Sequence, residues 1–141
     1  MVARTFEKKE DVACQELKEG KLKSKKGAKV KVSYHDSCYL GRGLGIYDAP
    51  REVLGFLDGV ELVEMKRNRE NSFCCGARTL GNYVDNLAED TAKERIREVE
   101  DTGADLLITA CAYCKDQFSN VLSAKDKERI IDLTEFVDER T

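Results

Sequence analysis

The sequence has no tryptophan, one proline, one histidine and no long run of apolar residues. A membrane-spanning helix needs about 20 consecutive, predominantly apolar residues, so the sequence offers no such span. The first 13 residues, MVARTFEKKEDVA, also lack the apolar centre of a secretory signal peptide. We therefore predict a cytoplasmic protein, for which any membrane association would come through a partner.

An excess of positive charge is also missing. The 141 residues include 24 Lys and Arg against 27 Asp and Glu, for a net charge of -3. A basic surface is the usual footprint of nucleic-acid-binding proteins, so we predict no nucleic-acid partner. With 41% hydrophobic and 36% charged residues, the chain is typical of one highly charged globular domain, long enough to bury a core without disulfides.

Cysteine, in contrast, is frequent, with six residues. Disulfides are rare in a reducing cytoplasm, where several cysteines more often bind metal or take part in redox chemistry. The cysteines are therefore the first candidates for a functional site.

Strand and helix patterns alternate along the chain. Residues 1–29 are predicted to form an N-terminal helix and a Lys-rich loop, and residues 30–141 an α/β unit, together one compact domain. Four short segments predict strands, namely AKVKVSYH, VELVEM, DLLITA and ERIIDLT. Alternation of this kind predicts a parallel four-stranded sheet with helices on both faces, a Rossmann-like three-layer sandwich. In the longest helix, NYVDNLAEDTAKERIREVEDTG, we expect the charged face to lie in solvent.

Five cysteines follow the predicted strands. Cys38 comes just after the first strand, Cys74 and Cys75 follow the second, and Cys111 and Cys114 lie at the end of the third. Because parallel strands end at one edge of a sheet, we expect these cysteines to converge there. The adjacent pair can share one task only if the backbone turns sharply, and the next residue, a glycine, permits such a turn.

Four interpretations of these cysteines compete. A disulfide framework is disfavoured by the compartment and the size. A thioredoxin-like interpretation of the Cys111–Cys114 CxxC leaves three cysteines unexplained. A structural zinc site would use four of the five thiols. An iron–sulfur cluster, bound by cysteine thiolates, is the interpretation we favour, although five thiolates exceed the four that an ordinary cubane cluster uses.

The segments YHDSC, LGR, GIYDAPREVL, FCCGA and GADLLITACAYC closely resemble the cysteine-rich, or CCG, domain. This domain occurs in the catalytic subunit of heterodisulfide reductase and in the iron–sulfur subunits of glycolate, lactate and glycerol-3-phosphate dehydrogenases. The resemblance covers residues 30–134. It implies that five cysteines bind a non-cubane [4Fe–4S] cluster, namely Cys38, Cys74, Cys75, Cys111 and Cys114. Some relatives hold zinc in one motif copy, which keeps zinc as the alternative.

The resemblance also implies a role in electron transfer, with other oxidoreductase subunits or a second CCG domain as partners and a flavin or ferredoxin-type electron donor. Full family members carry two motif copies and this chain carries one, so we expect a subunit or fragment that is inactive alone. Ser37 and Ala112 stand where the family usually has proline. His35 and Arg42 are further candidates beside the site, and Cys14 lies outside the motif.

Overall fold

A computed structural model describes residues 15–77, 84 and 86–141. The strands are β1 (Val30–His35), β2 (Val60–Leu62), β3 (Leu106–Thr109) and β4 (Ile130–Asp132). The helices are α1 (Gly41–Leu44), α2 (Asp48–Phe56), α3 (Leu87–Thr102), α4 (Ala112–Val121) and α5 (Leu133–Arg140). Short 3₁₀ turns cover Arg69–Asn71 and Lys127–Arg129, and residues 15–18 are helical.

The four strands form one parallel sheet in the order β2-β1-β3-β4. The central strands β1 and β3 are buried almost throughout, because helices cover both faces of the sheet. The predicted α/β architecture is thus confirmed. All four strands point the same way, so the loops that follow β1, β2 and β3 leave the sheet at its carboxyl edge.

The core has two halves, one on each face of the sheet. Successive strand residues point to opposite faces, so Val32 and Ile108 pack on one side while Leu107 packs on the other. The first half is completed by α2 and α5 and the second by α3 and α4. The second half also contains Cys75 and Cys114, which places these two thiols in an apolar environment.

Two helix boundaries differ from the sequence prediction. The sequence predicts a helix over residues 115–122, whereas α4 begins at Ala112, with Cys111 as its N-cap residue. Cys114 therefore lies in the first turn of a helix and not at a strand end. The C-terminal segment, predicted as one turn, forms the eight-residue helix α5, whose first turn is fixed by a reciprocal capping box between Asp132 and Glu135.

Helix α3 ends as predicted at Gly103, which adopts the left-handed conformation with φ of 68°. The three- and four-residue spacing predicts an apolar helix face formed by Val84, Leu87, Ala88, Ala92, Ile96 and Val99. This prediction is only partly correct, because Ala92, Ile96 and Val99 are buried but Val84 and Leu87 are exposed. The sequence also predicts that Asn82 caps the start of this helix, and Asn82 lies outside the described residues. None of the helices in the described part of the chain combines the length and apolar character needed to cross a membrane.

Candidate metal centre

The five motif cysteines lie in loops and helix starts at the carboxyl edge of the sheet. The Sγ atoms of Cys75 and Cys114 are 3.2 Å apart, and both residues are buried. Cys74 and Cys111 are partly buried, and Cys38 is exposed. The arrangement therefore extends from the apolar core to the protein surface. Cys14 lies outside the described residues.

Gly76 makes the turn that the adjacent cysteines need. Its φ of +83° is in the left-handed region, and its amide N–H donates to the Sγ of Cys74 at 3.3 Å. A Cβ atom at this position would lie 2.8 Å from the carbonyl oxygen of Ala88 and 3.1 Å from the Cβ of Thr91. Glycine is required here both by the backbone conformation and by close packing against α3.

The thiols share protons. Hydrogen bonds donated by the thiols of Cys114 and Cys74 hold the pKa of Cys75 well below its ordinary value. The same hydrogen bonds raise the pKa values of the donors: Cys74 through its bond to Cys75, and Cys114 through its bonds to Cys111 and Cys75. Cys75 is thus the thiolate to which its neighbours donate. A positively charged metal would replace the shared protons, because thiolates are the metal-binding form of cysteine.

Cys111 and Cys38 lie closer to the protein surface than Cys75 and Cys114, and their thiols differ in acidity. A hydrogen bond from Cys114 lowers the pKa of Cys111 to about 6, so Cys111 is a thiolate at neutral pH. The pKa of Cys38 is raised, first by partial burial and then by the negative charges of Cys75 and Cys111. Cys38 is therefore close enough to Cys75 and Cys111 for their charges to affect its ionisation.

A buried ion pair anchors the loop that carries Cys38. The guanidinium of Arg51 in α2 donates to both carboxylate oxygens of Asp36, at 2.7 and 2.8 Å. It also donates to both oxygens of Glu64, at 2.6 and 3.0 Å. Asp36 accepts a further bond from the backbone N–H of Arg69 at 2.8 Å. The loops after β1 and β2 are therefore fixed to α2 and to each other.

Ser72 connects the loop that carries Cys74 and Cys75 to the Asp36 loop after β1. Its hydroxyl donates to the carbonyl of Asp36 at 3.1 Å and accepts from the guanidinium of Arg95 at 3.2 Å. Its carbonyl accepts from Nη2 of Arg42 at 2.6 Å. The structure therefore gives Arg42 a structural contact between two loops of the site.

His35 ends β1 directly beneath the thiols and is fully buried. Its ring meets Phe118 edge to face, with centroids 4.9 Å apart and an interplanar angle of 88°. A ring nitrogen lies within 4.8 Å of Cys75 and Cys114 Sγ. Nδ1 accepts a hydrogen bond from Nε of Arg95 at 3.2 Å, whereas Nε2 is buried with no hydrogen-bond partner among the described residues. Burial lowers the pKa of His35, which favours the neutral imidazole.

The sequence prediction missed Arg95 and was wrong about its environment. The charged face of the long helix was expected in solvent, yet Arg95 is 0% exposed and its ion-pair partner Glu98 is also buried. A signal for this was present, because Arg95 lies three residues after Ala92 and four before Val99, both on the apolar face. An arginine inside an apolar stripe indicates a buried polar network.

With this geometry described, comparison with known proteins identifies the family. The model of the CCG cysteine-rich domain matches residues 32–119. The chain belongs to the cysteine-rich (CCG) domain family. The matched range includes all five motif cysteines, together with His35 and Arg95.

Three similar proteins are named as a heterodisulfide reductase subunit, an iron–sulfur-binding oxidoreductase and a lactate utilization protein. The chain is 37% identical over 115 residues to a subunit of the dihydromethanophenazine:CoB–CoM heterodisulfide reductase of Methanosarcina mazei, covering 81% of this chain and 27% of that protein. It is 34% identical over 122 residues to "Probable iron-sulfur-binding oxidoreductase FadF" of Bacillus subtilis, covering 84% and 17%. It is 38% identical over 85 residues to lactate utilization protein A of Lysinibacillus sphaericus, covering 60% and 36%.

The chain thus spans between 17% and 36% of the length of these relatives. Each of the three contains a region similar to this cysteine-rich domain within a longer chain.

Proposed function

We propose that this chain is the iron–sulfur-binding domain of a heterodisulfide reductase-like oxidoreductase. The observation that carries the proposal is that five cysteines follow the parallel strands β1, β2 and β3 at the carboxyl edge of the sheet, with the Sγ atoms of Cys75 and Cys114 in contact. These cysteines are Cys38, Cys74, Cys75, Cys111 and Cys114. These five residues would hold the cluster as thiolates. The names of the relatives, which include an iron–sulfur-binding oxidoreductase and a component of heterodisulfide reductase, support the same assignment.

The donor set fits such a cluster. Iron–sulfur clusters are held by cysteine thiolates. The pKa values of Cys75 and Cys111 are lowered by hydrogen bonds from neighbouring thiols, whereas those of Cys38, Cys74 and Cys114 are raised, so a bound cation would have to draw the protons from these three. Five thiols exceed the four of a cubane cluster, which supports the non-cubane [4Fe–4S] type. His35, whose Nε2 is buried without a partner in the described part of the chain, lies beside Cys75 and Cys114 and offers a polar group to a cluster bound there.

The cluster would supply electron transfer at the sheet edge. The chain's own contribution is to set the exposure of the sulfurs, with Cys75 and Cys114 shielded by the core and Cys38 open to the surface. Solvent exposure and hydrogen bonds to sulfur tune the potential of such centres. The exposed side at Cys38 is where we place the approach of a partner or a disulfide substrate.

We further propose that the chain is inactive alone and works in the cytoplasm with other oxidoreductase subunits or a second CCG domain. A flavin or ferredoxin-type donor would deliver the electrons. The chain covers only a minor part of its relatives, which supports a division of labour among domains. Contact with a membrane, if the assembly has one, would be made by a partner protein.

A zinc-binding structural module is the second candidate. The observation in its favour is the group formed by His35, Cys75 and Cys114, whose ligand atoms lie within 4.8 Å of one another. Zinc binds tetrahedrally to sulfur and imidazole nitrogen. Such a module would assemble subunits without redox activity.

Metal analysis separates the two candidates. The full chain is purified anaerobically, reconstituted with iron and sulfide, and assayed for iron, acid-labile sulfide and zinc. We expect about four irons and four sulfides per chain, as a [4Fe–4S] cluster requires. Cys75→Ser should lose most of the iron, whereas Cys14→Ala should retain it, because Cys14 lies outside the motif. Stoichiometric zinc with negligible iron would reject the iron–sulfur assignment in favour of the zinc module.

A further inference from the structure

Arg95 is held beneath the thiols by a network that uses every nitrogen of its guanidinium. Nη1 donates to the carbonyl of Arg67 at 2.6 Å and to the carboxylate of Glu98. Nη2 donates to the hydroxyl of Ser72 at 3.2 Å, and Nε donates to Nδ1 of His35 at 3.2 Å. A side chain fixed at three other points cannot turn its Nε–H away from the imidazole without breaking those bonds.

The hydrogen bond from Nε of Arg95 to Nδ1 of His35 determines which ring nitrogen of the histidine carries the proton. A guanidinium has only donors, so the nitrogen that faces it must accept. Nδ1 of His35 is therefore unprotonated, and the ring proton of the neutral imidazole is on Nε2. Nε2 has no hydrogen-bond partner within the described ranges, and a ring nitrogen of His35 lies within 4.8 Å of the Sγ atoms of Cys75 and Cys114.

We propose that Arg95 is a positioning residue that fixes the Nε2–H tautomer of His35, so that this histidine offers a hydrogen-bond donor to the sulfur of a cluster bound at Cys75 and Cys114 and does not itself bind the metal. Phe118 supports the arrangement by packing edge to face against the ring. The pairing of His35 with Thr109 between β1 and β3 fixes its backbone.

The same network opposes His35 as a ligand. A metal-binding histidine almost always donates its other ring N–H to a carboxylate, carbonyl or water, which makes the ligating nitrogen more basic. Here the other nitrogen accepts from a cationic guanidinium, which is the reverse arrangement. Metal binding through Nε2 would leave the imidazole with both nitrogens lacking protons. The tautomer of His35 is assigned independently of the proposed function. Its effect on an iron–sulfur cluster rests on the proposed function.

The sole histidine of the chain allows a direct test. Imidazole-¹⁵N-labelled full chain, metal-free and kept reduced, is examined by two-bond ¹⁵N–¹H correlation spectroscopy. We expect one histidine pattern, with a pyrrole-type Nε2 that carries the proton and a pyridine-type Nδ1. A proton on Nδ1, or protons on both nitrogens at neutral pH, would overturn the proposal. This measurement on the unmodified chain requires no variant to fold.

A matched pair of variants then tests the role of Arg95. In Arg95→Met, the Nδ1 resonance should move toward the value of a ring nitrogen without a hydrogen bond. Arg67→Met is the control, because the Arg67 side chain also pairs with Glu98 whereas its contact to Arg95 is through its backbone carbonyl. The control should leave the Nδ1 resonance in place. An unchanged Nδ1 resonance in folded Arg95→Met would contradict the assigned role.

The reduction potential provides the second readout. A hydrogen bond to sulfur stabilises the more negative, reduced form of an iron–sulfur centre. His35→Phe should therefore shift the midpoint potential of reconstituted protein to a more negative value, with iron content retained. A retained cluster with an unchanged potential would reject hydrogen-bond donation to sulfur, and iron lost together with the imidazole would reject the exclusion of His35 from the ligand set. If the unmodified chain binds no iron, the proposed function fails, while the nitrogen resonances still decide the tautomer.

Discussion

Arg51 holds Asp36 through two parallel hydrogen bonds, Nη1 to Oδ1 at 2.7 Å and Nη2 to Oδ2 at 2.8 Å. The side chains are 7% and 1% exposed, so the ion pair is shielded from water. Asp36 lies two residues before Cys38, and Arg51 lies in α2. The ion pair is therefore the link between the helical layer and the loop that carries the exposed cysteine.

Removal of one partner of this pair should destabilise the protein strongly. Asp36→Asn leaves the Arg51 guanidinium with Glu64, the more exposed of its two carboxylates. A buried pair that loses its one partner is destabilised by about 3–5 kcal/mol, so we expect a loss toward the lower end of that range. Urea unfolding of the metal-free protein measures the change. Glu61→Gln is the control, because the Lys31–Glu61 pair is 3.8 Å long and exposed, and such pairs contribute roughly 0–1 kcal/mol. Equal losses in both variants would refute this account of the Asp36 loop.

Glycine-to-alanine substitutions should separate backbone strain from close packing at the vicinal-cysteine turn. Gly76 and Gly45 both have positive φ, at 83° and 72°, which costs an alanine about 1–2 kcal/mol. A Cβ at Gly76 would also lie 2.8 Å from the Ala88 carbonyl, whereas Gly45 has nothing within 4 Å. Gly76→Ala should therefore lose more unfolding free energy than Gly45→Ala.

The same pair of variants also reports on the site. Because the Gly76 amide donates to Cys74, displacement of this turn should lower iron retention after reconstitution, whereas Gly45→Ala should retain iron at the level of the unmodified chain. Equal stability and equal iron content in the two variants would show that the packing against α3 is unimportant.

The sequence predicted the frame of the site well and its buried polar network poorly. Alternating strand and helix patterns gave the parallel sheet, and the position of cysteines after strands gave their common edge. The start of α4 was missed because its N-cap residue is Cys111. Cysteine is not among the residues that usually mark a helix start in a sequence, which are Ser, Thr, Asp, Asn and Gly. Arg51 in α2 contacts Asp36 after β1 and Glu64 after β2. Sequence spacing alone cannot predict contacts between residues so far apart in the chain. Arg95 lies between Ala92 and Val99 on the buried side of α3, but its histidine partner is 60 residues away in the sequence.

Alkylation of the metal-free protein should reveal the different acidities of Cys111 and Cys38. The thiolate is the reactive form, and the pKa of Cys111 is about 6 whereas that of Cys38 is raised from 9.0. As pH increases, the rate at Cys111 should reach a plateau above about pH 7, while the rate at Cys38 should still increase past pH 9.0.

Peptide mass spectrometry after short pulses of iodoacetamide, from pH 5 to pH 10, measures both rates. Cys114→Ala should move the Cys111 profile to higher pH, since the hydrogen bond from Cys114 is the main cause of its low pKa. The same profile at both cysteines, or no shift in the variant, would contradict the proton sharing described here.

The metal-free chain should keep its fold. Its apolar core lies on both faces of the sheet, and nine-tenths or more of the surface of Val32, Leu54, Leu107, Ile108 and Phe118 is buried without any contribution from a metal. A domain of this length buries enough surface to fold without a covalent or metal staple, unlike small zinc domains, which unfold when the ion is removed. The cysteine loops have less support. Residues 72–77 depend on the hydrogen bonds of Ser72 and on the turn at Gly76, and the thiols there carry shared protons that a metal would replace.

Amide hydrogen exchange compares the metal-free and reconstituted proteins, because it distinguishes local opening from global unfolding. We expect slow exchange in β1 and β3 in both states, and faster exchange at residues 36–45 and 72–77 in the metal-free state alone. Asp36→Asn in the metal-free state should extend the fast exchange into β1, since the Arg51 anchor is then weakened. Fast exchange throughout the sheet of the unmodified metal-free chain would show that the metal is needed for the fold itself and that the two halves of the core are insufficient.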